Sequence, residues 1–209
     1  MSESITRTEI LRVAAEEFGQ KGFRGARLDD VANQLGVTRQ ALYYYYPTKT
    51  AILLDLYERF FERLEAALDE AERSHAGRGR FDAMLEAHIR TVAESPELSA
   101  IFTQERSALP YDMSGRLRLR RQKYQDRLVQ AYRDGVEAGE LRDDASPSVT
   151  VSLAVGAANW IFRWYRSDRD LQPGELAMIA VDLLGTGYHK APGRRRAATA
   201  SRYDDPLTR

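Results

Sequence analysis

Apolar residues recur at helical spacing along almost the whole chain, and the breaks between runs fall at Gly, Pro, Ser and Thr. Thr6 with Glu9 makes a capping-box pattern ahead of Ile10, Leu11, Ala14, Ala15 and Phe18. This predicts a first helix ending near residue 21, between Gly19 and Gly22. Short helices follow over about 28–35 and 38–45, separated at Gly36 and stopped by Pro47. Thr48 suits the N-cap of a long helix to about Ser74, roughly 40 Å at the usual rise. Ala76 to Arg80 reads as a loop, and a helix follows to about Glu94. Ser95-Pro96 opens the next, which ends before Pro110. A charged helix is expected from about Ser114 to Ala138, with Gly139 as its stop. Ser146-Pro147 opens a nearly apolar helix to about Arg166, and Pro173 opens the last, to about Lys190. Val149, Val151, Leu153 and Val155 alternate as a strand does. Helix is preferred there, because Pro147 suits a first helical turn and the apolar pattern runs on through Trp160 and Tyr165. The expectation is an all-α fold of nine helices, with a disordered tail from Ala191 rich in Pro, Gly, Arg and Ala.

Composition narrows the function. The 209 residues carry 31 Lys+Arg and 31 Asp+Glu, so a basic surface must come from local arrangement. The absence of cysteine removes thiolate chemistry, disulfides and Cys-bound zinc. His75, His88 and His189 stand apart, without metal-ligand spacing, and there is no phosphate-loop, dinucleotide or serine-elbow motif. Catalysis, metal and cofactor are therefore not expected. No run of eighteen apolar residues exists and the N-terminus is polar, which points to a cytoplasmic chain without membrane contact.

The candidate chemistry lies between Leu28 and Lys49. Ala32 permits close packing of two short helices, Gly36 tolerates the turn, and Val31, Leu35, Val37 and Leu42 lock them together. The second helix then shows Thr38, Arg39, Gln40, Tyr43 and Tyr44 outward. Arginine can fork onto guanine and glutamine can pair with adenine, whereas tyrosine hydroxyls and Lys49 can hold phosphates. A helical hairpin with a solvated polar face is the competing reading. The four tyrosines 43–46 weigh against it, since one buried side cannot hold them all.

Residues 6 to about 61 resemble the N-terminal domain of TetR-family transcriptional regulators. The likeness is carried by Ile10, Ala14, Phe18, Gly22-Phe23, Asp30-Val31-Ala32, Leu35-Gly36-Val37-Thr38, Leu42-Tyr43 and Lys49. It implies three helices for DNA and six for dimerisation and ligand, divided as 1–47, 48–190 and the tail 191–209. It places Arg39, Gln40 and Tyr43 near bases or adjoining phosphates, Tyr45 and Lys49 at phosphates, and Tyr46 in the core. Relatives open the second helix with Thr or Ser, where this chain has Ala26 and Arg27. Arg27 can replace the phosphate contact by charge but cannot cap the helix.

In the body, Val151, Val155, Ala158 and Phe162 form one stripe of the penultimate helix, and Val149, Leu153, Gly156, Trp160 and Trp164 a second. With Leu176, Ile179, Leu183 and Gly187 they suggest a homodimer seam, or ordinary core. Arg121 falls in the stripe Leu117, Tyr124, Leu128, Tyr132, and Glu105 in the stripe Leu98, Ile101, Phe102, Leu109. Such charges either line a pocket or reach solvent. Trp160 to Arg166 resembles a stretch in TetR-family repressors of lipid and steroid catabolism that respond to acyl-CoA thioesters. That likeness implies an effector site built from Phe102, Glu105, Arg121, Tyr124, Trp160, Arg163 and Trp164. Arg116, Arg120, Lys123 and Arg127 form a basic row able to meet CoA phosphates or to stand solvated. The expected function is a dimeric, ligand-responsive regulator on a palindromic operator. The alternatives are a free aromatic or lipophilic effector, or no small-molecule effector.

Overall fold

A computed structural model describes residues 5–75, 77, 79–104, 111–166 and 171–190, with backbone alone at 104 and 111–114. The expectation for 191–209 lies outside the described residues, as do Glu105 and Leu109. The described residues form nine α-helices and no strand: α1 Arg7–Gly25, α2 Leu28–Gln34, α3 Arg39–Tyr45, α4 Lys49–Ser74, α5 Arg80–Ala93, α6 Pro96–Gln104, α7 Tyr111–Glu137, α8 Pro147–Asn159 and α9 Pro173–Tyr188. Residues 148–155 are helical, because Pro147 fixes the first turn and Thr150 N bonds back to Ser146 O at 3.0 Å.

Three boundaries depart from the sequence pattern. α1 runs to Gly25 rather than ending near residue 21, with a kink at Gly22, whose φ is 68°. α8 stops at Asn159 instead of running to about Arg166, and a 3-10 turn Ile161–Arg163 follows. Its bonds reach back three residues, Trp160 N to Ala157 O and Arg163 N to Trp160 O. Tyr165 is buried and donates to Leu171 O at 2.6 Å, which draws the chain away from the helix axis. An apolar stripe looks the same in α and 3-10 turns over so few residues, so the pattern could not show the break. α7 begins at Tyr111, directly after Pro110, rather than near Ser114.

The chain divides into two compact units. The first holds α1, α2, α3, the first half of α4, α6 and the start of α7 to Arg116; the second holds the rest of α4 and of α7 with α5, α8 and α9. The division differs from the expected boundary at residue 47 because α6 packs on α1 and is held by α4 at both ends. Arg63 donates to Ser95 Oγ at 2.7 Å, and Tyr57 Oη to Ile101 O at 3.2 Å. The core of the first unit is built from Ile10, Phe18, Val31, Leu42, Tyr46 and Ile52. In the second, Phe81, Leu85, Leu128, Tyr132 and Val151 are buried, and the rings of Phe81, Tyr132 and Tyr188 meet edge to face.

Candidate DNA interface and effector region

The first unit shapes its reading surface from local rules. Thr6 and Glu9 complete a capping box at the start of α1. Val31, Ala32 and Leu42 are buried, so α2 seats against α1 and α3 against α2. Gly36 takes φ 66°, and Val37 N bonds to Ala32 O at 3.0 Å to close the turn. A Cβ on Gly36 would meet nothing within 4 Å, so backbone conformation, not crowding, calls for glycine there. Buried Glu17 accepts from Gln34 Nε2 at 2.9 Å, and Lys21 bridges Glu17 and Asp30, which ties α1 to α2.

This framework presents α3. Thr38 is exposed and caps the helix, its hydroxyl accepting from Ala41 N at 3.2 Å. Arg39 and Gln40 are exposed, Tyr43 and Tyr45 half-buried, and Tyr44 is 85% exposed with its ring against Tyr45. Tyr46 turns the other way, into the core, where its hydroxyl donates to Asp55. Burial and that carboxylate push its phenol well above the usual range. Arg27 is exposed at the N-cap of α2 and makes no side-chain cap bond, while Asp29 and Asp30 supply negative charge to the first turn.

Lys49 is the departure on this surface. Its ammonium donates to Phe23 O, to Ala26 O at 2.8 Å and to Arg24 O at 3.3 Å, and stands 4.6 Å from the Phe23 ring centre. The residue expected to hold a phosphate here staples the end of α1. It sits where the end of α1 leaves carbonyls without helical partners, and a cation satisfies them.

The expected effector residues are not gathered in one unit. Phe102 belongs to the first, half-buried among Tyr57, Phe60 and Phe61 at ring distances of 5.0–5.4 Å. Tyr124, Arg121, Trp160, Arg163 and Trp164 belong to the second. Tyr124 is buried, Arg121 half-buried and Arg163 exposed. Trp160 and Trp164 are 57% and 55% exposed, so each tryptophan shows more than half of itself to solvent rather than lining an enclosed pocket of its unit. They share this exposure with Leu153 on α8 and with Met178, Ile179 and Leu183 on α9, because the α8 stripe of Val151, Ala154 and Ala158 takes the core side. Glu105, the other charge set in an apolar stripe, lies outside the described residues.

Sequence reasoning passed over His88. It lies on the apolar stripe Phe81, Met84, Leu85, Ile89 and Val92 of α5, a placement that was itself a signal. Its Nδ1 is 2.9 Å from Tyr124 Oη. Burial pushes the imidazole down to about 4, with a weaker opposing pull from Asn159, so it is neutral near pH 7. The basic row on α7 is largely paired: Arg120 forks onto Glu65 at 2.6 and 2.8 Å, and Arg127 meets Asp69 at 2.6 Å and Glu72 at 2.9 Å. Arg116 and Lys123 remain exposed. Two cavities open on the second unit. One of about 220 Å³ is bordered by Arg80, Asp134, Gly135 and Glu140, the other of about 460 Å³ by Asp82, Glu86, Met178 and Asp182. Neither includes a residue of the expected effector set. Among the described residues no cluster of His, Cys, Asp or Glu could hold a metal, and no helix is long and apolar enough to cross a membrane.

A capped two-helix motif with an exposed recognition helix, followed by a helical body, defines a helix-turn-helix DNA-binding regulator. Residues 10–56 match the family described as bacterial regulatory proteins, tetR family, and residues 74–188 match the tetracyclin repressor-like C-terminal domain. The chain belongs to the TetR family of transcriptional regulators, which are not enzymes. It is 29% identical over 160 residues to the HTH-type transcriptional repressor SCO4008 of Streptomyces coelicolor, covering 74% of this chain and 77% of that one. The structure of the ketosteroid transcriptional regulator KstR2 of Mycobacterium tuberculosis superposes with a TM-score of 0.83 at 21% identity, over 88% of this chain and 95% of that one. AibR, solved in complex with isovaleryl coenzyme A and operator DNA, gives 0.74 at 22% identity over 86% and 96%.

Proposed function

We propose that the chain is a homodimeric repressor that holds a palindromic operator through α3 and leaves it when a small molecule binds the helical body. The observation that carries this is the outward face of α3: Arg39, Gln40 and Tyr44 exposed on a helix only seven residues long, held from behind by Leu42 and Tyr46. Arg39 and Gln40 read base edges, and Thr38, Tyr43, Tyr44, Tyr45 and Arg27 set register on phosphates. Two copies place their recognition helices roughly 35 Å apart, in successive major grooves. The exposed Leu153, Trp160, Met178 and Leu183 supply the surface a second copy covers.

The favoured effector is an acyl-CoA thioester. Support comes from the stretch Trp160 to Arg166 and from AibR, whose structure carries isovaleryl coenzyme A. The neutral His88–Tyr124 pair gives the body hydrogen-bonding groups suited to an uncharged carbonyl. One observation favours a free aromatic or lipophilic effector instead: Arg120 and Arg127 are engaged by carboxylates of α4 and are not waiting for CoA phosphates. Neither cavity touches Trp160, which is the observation on the side of a regulator without a small-molecule ligand. α4 is the coupling element. Lys49 and Asp55 fasten its first half, and Glu65, Asp69 and Glu72 pair its second half with α7. An effector that prefers one position of α7 biases α4, and DNA biases it in return.

The test is a thermal-shift series with isovaleryl coenzyme A, longer acyl-CoAs, free fatty acids, steroids and aromatic acids. Any stabilising compound is then added to the protein bound to its own upstream DNA. Release by a thioester supports the acyl-CoA reading. Release by a free lipophile alone moves the effector to the second class, and stable DNA binding that no compound disturbs leaves the third.

A further inference from the structure

Asp29 lies in the first turn of α2, and Arg39 opens α3. Asp29 Oδ2 accepts from Arg39 Nη1 at 3.3 Å, and Asp29 Oδ1 stands 3.2 Å from Nε. On another edge, Arg39 Nη2 donates to Tyr43 Oη at 3.1 Å, and the guanidinium lies 5.2 Å from the centre of the Tyr43 ring. The Arg39 side chain is nevertheless 65% exposed. An exposed arginine ordinarily samples many rotamers, and ordering it on binding costs free energy. Here two neighbours order it before any partner arrives.

We infer that Asp29 is a positioning residue for operator reading: with Tyr43 it orients the Arg39 guanidinium so that its other N–H groups meet a base edge in the major groove. This rests on the reading of α3 as the recognition helix. Two plainer roles for Asp29 exist, and they predict different behaviour. As a charge at the start of α2 it stabilises the helix dipole, which affects folding alone. As an acid beside DNA it repels phosphate, so its removal should tighten binding to every duplex alike. A positioning role predicts the opposite pattern: nonspecific affinity holds or rises while discrimination between sequences falls.

The experiment uses the full chain. The wild-type protein selects a duplex from a randomised pool. Fluorescence anisotropy then gives the Kd for that duplex and each single-base variant, for wild type, Asp29→Asn, Tyr43→Phe, Arg39→Ala and Asp29→Asn with Arg39→Ala. Asp29→Asn is expected to lower the preference at one base pair of each half-site by roughly 10-fold, within the range of one good arginine–guanine contact. Tyr43→Phe, which leaves the α2 terminus untouched, should lower the same preference by about 3-fold, in line with one lost hydrogen bond. Arg39→Ala should abolish it, and Asp29→Asn should then add nothing. The inference is overturned if Asp29→Asn and Tyr43→Phe keep the wild-type preferences, or if Asp29→Asn shifts all duplexes equally. An unchanged profile in Arg39→Ala overturns Arg39 as a reader while leaving the regulator in place. A wild-type chain that enriches no duplex overturns the DNA-binding reading itself.

Discussion

The first unit turns charged and aromatic side chains outward on α3, whereas the second turns outward Leu153 of α8, Trp160 just past its end, and Met178 and Leu183 of α9. Their interiors differ as well. The first buries a carboxylate, Glu17, and answers it with Lys21 and Gln34; the second buries a neutral imidazole, His88, against a phenol. The exposed charges of α3 stay hydrated while no partner covers them. An apolar surface has no such alternative to burial, and its chemistry anticipates another apolar surface. The chain thus exposes a polar and aromatic face on one unit and an apolar face on the other, built on different physics.

The sharpest way to break this comparison is to charge the apolar side. Leu153→Glu with Leu183→Glu, two residues 70% and 65% exposed in the single chain, should leave folding intact and yield a monomer by light scattering. Operator affinity should fall roughly 1,000-fold, since two linked half-site contacts become one. A dimer that survives both changes places the interface elsewhere.

Acid tests the contrast in the interiors. His88 has a folded-state value of about 4 against an ordinary 6.5, so the unfolded chain binds the extra proton first. Stability should therefore be flat above pH 6.5 and fall as pH drops toward 4, by up to about 3 kcal/mol. His88→Phe should remove this part of the slope in chemical denaturation at each pH. An unaltered slope would mean that other groups carry it.

Lys49→Met separates a staple from a phosphate contact. Loss of its bonds to the α1 carbonyls should lower the stability of the protein by about 2 kcal/mol. The salt dependence of operator binding should not change, whereas a lost phosphate contact would reduce the slope by about one ion per site. The smallest effect is expected at Gly36→Ala. It should cost about 1 kcal/mol in thermal unfolding through its positive φ alone, because there is open space around the added methyl.

Much of the fold was legible because its signals are local. The capping box at Thr6, Gly36 at positive φ, Pro47 after α3 and Pro147 at the head of α8 act over a few residues, and each is a property of the chain itself. The outward face of α3 was legible for the same reason: Leu42 and Tyr46 inward leave Arg39, Gln40 and Tyr44 outward. An effector site is a different case, since residues far apart in sequence must converge for a pocket to exist, and periodicity does not encode which ones do. Phe102 and Tyr124 fell into different units, and the two tryptophans into solvent.

By itself the sequence determined the helical class, the helix-turn-helix and the polar face of α3, all of which follow from periodicity and from capping within one or two turns. Folding sets where long side chains end. It sent Lys49 to the carbonyls of residues 23, 24 and 26, Arg120 and Arg127 to acids more than fifty residues away, and Arg39 to Asp29. A charged group on a flexible stem takes whichever counter-charge or unpaired carbonyl folding brings within reach, and no periodicity in the chain encodes that choice.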